Sequence, residues 1–169
     1  MTQSVELLLD EASEASLCAE WDALAAAGLP SQARHQGGSN RPHVTLVAGE
    51  RIDPAAEPAL RQVVSALPLP VRLGAYACFG RDRFVLVRLV VADRALLDLQ
   101  TAVTDALDDD SGYFFGPGRW TQHVTLAHRL GPEQLAQALT VLGGAWERDA
   151  SAVGARRWDG DARREWSLR

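Results

Sequence analysis

The sequence predicts an α+β fold of two pseudo-symmetric lobes around a central cleft, within one domain spanning residues 1–169. Three observations predict it. The tetrapeptide His-Val-Thr-Leu occurs twice, at 43–46 and at 123–126. Strand-like and helix-like segments follow one another as β-α-β-α-β and then do so again. Shifting the first half by 80 residues, the separation of His43 and His123, lays its elements over those of the second half. The period is too long and the copies too few for a solenoid. The halves, about 1–82 and 83–169, are therefore expected as two lobes that each bring one histidine to the cleft.

Each element has a local reason. Residues 4–9 are an apolar run of strand length. Asp10 or Ser13 can cap a helix over 11–27, striped by Leu17, Trp21 and Leu24 and stopped by Gly28-Leu29-Pro30. The polar, glycine-containing stretch 31–40 is a loop and holds His35. Residues 41–49 are the first motif strand, and Pro54 opens a helix to about residue 67. Strands at 69–79 and 84–91 flank the turn Gly80-Arg81-Asp82 and form a hairpin. Asp93 caps a helix to about residue 107, striped by Leu96, Leu99 and Val103. A loop over 108–118 carries Tyr113, Phe114 and Phe115, and 119–130 is the second motif strand. Pro132 opens a helix to residue 142 that Gly143-Gly144 ends. Strands at 151–158 and 163–168 close the chain around Asp159-Gly160.

Both tetrapeptides lie in apolar, β-branched runs, which favours strands. Side chains alternate along a strand, so His43 and Thr45 share one face while Val44 and Leu46 share the other; His123 and Thr125 stand likewise against Val124 and Leu126. Two such strands brought together put two imidazoles and two hydroxyls in one cleft. Imidazole titrates near neutral pH, so one ring can take a proton while the other gives one. The hydroxyls can donate to a phosphoryl oxygen. This is a layout for hydrolysing a phosphodiester without a metal, and no cofactor is expected.

Composition narrows the setting. Hydrophobic residues make up 47% of the chain, enough for a sizeable core, and no apolar run is long enough for a membrane helix. The first ten residues lack a basic region before their apolar run, so no secretory signal is expected. Cys18 and Cys78 have no metal-ligand spacing and are expected as reduced thiols in a cytoplasmic protein. A formal net charge of −5 argues against broad coverage of a nucleic-acid backbone, though residues 151–169 are net basic.

The paired His-x-Thr-hydrophobic motifs, their separation and the chain length resemble the 2H phosphoesterase superfamily, and most of all its branch of RNA 2′,3′-cyclic phosphodiesterases, also called 2′-5′ RNA ligases. The resemblance covers nearly the whole chain. It implies two lobes of antiparallel sheet with flanking helices, no metal, His43 and His123 as the acid–base pair, and Thr45 and Thr125 as phosphate holders. It implies as substrate an RNA 3′ end or a nucleotide bearing a cyclic phosphate, handled by a monomer that engages no membrane, with 2′-5′ ligation as the reverse reaction. Gln122 stands where many members have Pro. The competing readings are the same chemistry on a small cyclic phosphate, such as a cyclic nucleotide or an ADP-ribose cyclic phosphate, and a non-catalytic protein that binds RNA ends.

Other residues are candidates by position. Arg41 shares strand parity with His43 and Thr45, and Thr121 and Arg129 share it with His123 and Thr125, so on regular strands both arginines reach an anionic substrate. Tyr113, Phe115 and Trp120 precede the second motif and are candidate substrate contacts, weighed against core packing. His128 has the opposite parity to His123, which with the exposed loop position of His35 speaks against a zinc site.

Overall fold

The computed structural model describes residues 3–35, 37–107, 115, 118–144 and 146–169. The elements are β1 (Gln3–Leu9), α1 (Glu11–Ala26), β2 (His43–Gly49), α2 (Glu57–Val64), β3 (Leu69–Phe79), β4 (Phe84–Val91), α3 (Arg94–Ala106), β5 (His123–Leu130), α4 (Pro132–Leu142), β6 (Arg148–Asp159) and β7 (Arg164–Ser167). The fold is α+β, with four helices on a seven-stranded antiparallel sheet. Boundaries follow local chemistry. Asp10 caps α1 by accepting from the Ser13 amide at 3.0 Å, and Asp93 caps α3 by accepting from the Leu96 amide at 2.8 Å. The two motif strands begin two and four residues later than their patterns suggest, at the histidines themselves, and α2 is shorter than expected, preceded by a 3₁₀ turn at Pro54–Ala56.

The sheet runs β2-β1-β6-β3-β4-β5, with β7 on the side of β6. Each outer group of three strands takes one strand from the other half of the sequence: β6 pairs with β1, and β3 pairs with β4. Pairing of 69–73 with 148–152 joins the groups. The sheet curls far enough that β2 and β5, at opposite ends of the strand order, touch. The helices cross over as well: α1 packs on β5 and α4, and α3 on β2 and α2. One continuous apolar core results, with Val44 and Leu46 from the first motif and Val124 and Leu126 from the second all buried in it.

Both motif strands carry the same irregularity. Thr45 lies opposite Glu6 but Val47 opposite Val5, and Thr125 lies opposite Val87 but Ala127 opposite Leu86. Leu46 and Leu126 are therefore extra residues, each a bulge that bends its strand and resets the alternation of faces beyond it. Consecutive residues Leu46-Val47 and Leu126-Ala127 are accordingly all buried. No described helix is long and apolar enough to cross a membrane.

Candidate active site

His43 and His123 open β2 and β5. In each, Nδ1 lies against a main-chain carbonyl two residues earlier, at 2.8 Å from Arg41 O and 2.7 Å from Thr121 O. A carbonyl only accepts, so Nδ1 carries a hydrogen and Nε2 is the nitrogen left for chemistry. Both rings are half-buried, and they are near enough for the charge of His43 to act on His123. Thr45 and Thr125 follow on the same faces, and neither hydroxyl is engaged by another described residue. Their carbonyls are engaged. The Trp120 indole N–H donates to Thr45 O at 2.9 Å, and the Trp21 indole N–H to Thr125 O at 3.0 Å. These edge-strand carbonyls lack a neighbouring strand, and the indoles supply the donors that a strand would.

The surroundings of the two rings differ. Beside His43, Glu6 is 4% exposed and holds Oε1 3.6 Å from His43 Nε2. Glu6 also accepts from Ser4 Oγ at 2.6 Å and from Arg156 Nε at 2.7 Å. Arg156, equally buried, donates to Ser39 O and pairs with Glu165. Two carboxylates and one guanidinium leave a net negative charge beside His43. Beside His123 the wall is apolar. Leu89 lies opposite it, Val87 lies opposite Thr125, and the Phe79 ring stands edge-on at 5.0 Å between centroids. Burial pushes the His123 pKa below the ordinary imidazole value and repulsion from His43 adds to this, against the opposing hydrogen bond to the Thr121 carbonyl.

The other expected residues fall out differently. Arg41 does not face the cleft as a free cation: its guanidinium pairs with Glu14 of α1, and its carbonyl is what orients His43. Thr121 likewise serves through its carbonyl. Arg129 is not aligned with His123 and Thr125, because the bulge at Leu126 breaks the parity and Arg129 itself takes a left-handed φ of 59°. It lies instead in a pocket with His128 and His35. Trp120 packs against the core and ties the approach to β5 onto β2. The Phe115 carbonyl accepts from Gln100 of α3; Tyr113 and Phe114 lie outside the described residues. Sequence reasoning missed Glu6, Arg156, Phe79 and Trp21. Glu6 had a signal, a lone acid in the buried run 4–9.

The 2′-5′ RNA ligase superfamily matches residues 13–161, most of the chain. The chain belongs to this superfamily. As a 2H phosphoesterase it shares its fold with solved structures of low sequence identity. TT0787 of Thermus thermophilus is 18% identical over the whole of this chain and 96% of that one, with a TM-score of 0.62. LigT of E. coli, solved with phosphate, is 14% identical over 99% and 93%, with a TM-score of 0.56. Usb1 of Kluyveromyces marxianus is 11% identical over 99% and 97%, with a TM-score of 0.54. No curated protein matches the sequence. Superfamily membership places the chain among phosphoesterases and RNA ligases, enzymes that act on phosphate esters.

Proposed function

We propose that this 2H phosphoesterase opens a 2′,3′-cyclic phosphate at an RNA 3′ end or on a nucleotide, by acid–base catalysis between His43 and His123 without a metal. The observation that supports the reading is the matched pinning of both Nδ1 atoms on main-chain carbonyls, which leaves both Nε2 atoms for proton transfer. The unequal surroundings support a division of roles that two identical tetrapeptides cannot express. His123, its pKa lowered among apolar neighbours, is neutral at pH 7 and acts as base. His43, with the buried Glu6 carboxylate 3.6 Å from its Nε2, acts as acid.

In hydrolysis, water attacks phosphorus and gives its proton to His123 Nε2. The bond from phosphorus to one ribose oxygen breaks, and His43 Nε2–H protonates that oxygen. The hydroxyls of Thr45 and Thr125 donate to the non-bridging oxygens, where charge builds up. A phosphomonoester leaves, and the two rings exchange one proton with solvent to reset. With the 5′-hydroxyl of a second ribose attacking in place of water, the same forward steps form a 2′-5′ linkage: the bond from phosphorus to that oxygen forms, and the bond to the 3′ oxygen breaks.

The test is a panel of oligonucleotide 2′,3′-cyclic phosphates, mononucleotide cyclic phosphates, ADP-ribose cyclic phosphate and 2′-5′ linked dinucleotides, assayed with wild type, His43→Ala and His123→Ala. Each substitution should lower turnover about 10²–10⁴-fold on the best substrate while circular dichroism stays unchanged. Near wild-type turnover in either variant would sink the two-histidine mechanism. Binding of cyclic ends without turnover in the wild type would leave an RNA-end binder.

A further inference from the structure

A second cationic feature lies on the same face of the sheet as the histidines. From His123 the cleft wall continues along β4 through Leu89 and Val87 to Val85, which lines a cavity of about 590 Å³ with Arg34, Arg83, Arg129, His35 and His128. Among the described residues, none that lines it is acidic. Arg34 and His35 come from the 3₁₀ turn at Gln32–Arg34 and its cap, Arg83 from the turn before β4, and His128 and Arg129 from the end of β5. Consecutive residues on a regular strand face opposite ways; His128 and Arg129 reach one pocket because Arg129 adopts the left-handed φ of 59°.

The three guanidiniums also differ from the seven in this chain that are ion-paired. The chain's 17 basic residues are all arginine, outnumbered by 22 acids, and Arg41, Arg61, Arg72, Arg88, Arg94, Arg156 and Arg157 each pair with a carboxylate. Arg34, Arg83 and Arg129 have no ion-pair partner among the described residues. Burial, together with the charges of His35, Arg129 and His123, holds His128 below the ordinary imidazole value. Like charges gathered in a concave site, in a chain with acids to spare, fit an anion brought from outside, and the planar fork of arginine matches the oxygens of a phosphate.

Val85 is four residues along β4 from Leu89, the neighbour of His123, or about 13 Å at about 3.3 Å per residue. We propose that this pocket is an anion subsite for a second phosphate of the substrate, on the 5′ side of the nucleoside that bears the cyclic phosphate. It makes the enzyme prefer phosphate-bearing nucleotides over a bare nucleoside cyclic phosphate. The role in turnover rests on the phosphoesterase reading above; the anion site itself does not. The second phosphate sits on O5′ of that terminal nucleoside, either as a free monoester or as the diester linkage to the preceding nucleoside.

The experiment compares three substrates: adenosine 2′,3′-cyclic phosphate, its 5′-phosphorylated form, and a dinucleotide ending in the same cyclic phosphate. Wild type should favour at least one phosphate-bearing substrate by about tenfold or more in kcat/KM, the effect of one lost charge-assisted contact. Arg34→Ala/Arg83→Ala should remove most of that preference and leave the bare nucleoside within about twofold of wild type. Preference for the 5′-phosphorylated mononucleotide identifies the first source; preference for the dinucleotide alone identifies the second.

Calorimetry decides the site independently of catalysis. Adenosine 3′,5′-bisphosphate should bind wild type about tenfold more tightly than adenosine 3′-phosphate, and the double variant should erase the difference. No turnover of any substrate with this binding difference intact would defeat the catalytic reading and keep the subsite. Equal rates on all three substrates together with equal binding of the two adenosine phosphates, or a preference unchanged in the double variant, would overturn the subsite.

Discussion

Replacing Trp21 by Phe tests whether the motif strands are held in place from outside the sheet. Trp21 is 4% exposed and gives its indole hydrogen to Thr125 O at 3.0 Å. Phe keeps a ring in the core but has no donor. Leaving the carbonyl without its partner costs about 1–3 kcal/mol. The smaller ring forfeits roughly a further 1–2 kcal/mol of packing, less than the full truncation of an aromatic side chain. A total of about 2–4 kcal/mol should lower Tm by about 5–15 °C for a domain of this size. Urea melts at constant m give the free energy directly. The comparison is Leu60→Ala on α2, a helix that packs chiefly on α3; Leu60 is 0% exposed, and that truncation costs about 2–5 kcal/mol without removing a hydrogen bond to a motif strand. Assayed well below both melting points, Trp21→Phe should lose kcat/KM per folded molecule and Leu60→Ala should not. Equal activity in the two variants, or a stability loss under about 0.5 kcal/mol in Trp21→Phe, would show that the indole does not position the strand.

Three further outcomes follow from the site. The rate kcat/KM should be bell-shaped in pH, and because the His123 pKa is lowered its neutral, proton-accepting form survives to more acid conditions, so the rising limb should lie below the ordinary imidazole value of about 6.5; a rising limb above that value would contradict the assignment of His123 as base. Glu6→Gln removes the carboxylate charge held 3.6 Å from His43 Nε2 and should lower kcat/KM by about tenfold, with unchanged turnover counting against a role for Glu6 in the site. Dialysis against EDTA should leave turnover unaltered, since both proton transfers are assigned to imidazoles; loss restored by a divalent ion would point to a metal hydrolase.

What the sequence by itself determined is local or repeated. The duplicated tetrapeptide singled out the two histidines and two threonines, and alternation along a strand was enough to put Val44, Leu46, Val124 and Leu126 in the core. Caps and turns, each a matter of neighbouring residues, placed α1, α3, α4 and the β3–β4 hairpin closely. The tertiary structure decided everything that depends on distant partners. That β6 joins β1 and β3 joins β4 is a matter of pairing across the chain, to which the hydrophobic period is blind. A bulge adds one residue without changing composition, so the parity that aligned Arg129 with His123 held in the sequence and failed on the strand. Arg41, expected to reach an anionic substrate, pairs instead with Glu14, 27 residues away, and meets the site through its carbonyl, which accepts from His43. The two histidines were equivalent in sequence because their tetrapeptides are identical. Only folding set a buried carboxylate against one and an apolar wall against the other, and the proposed division of acid and base rests on that difference.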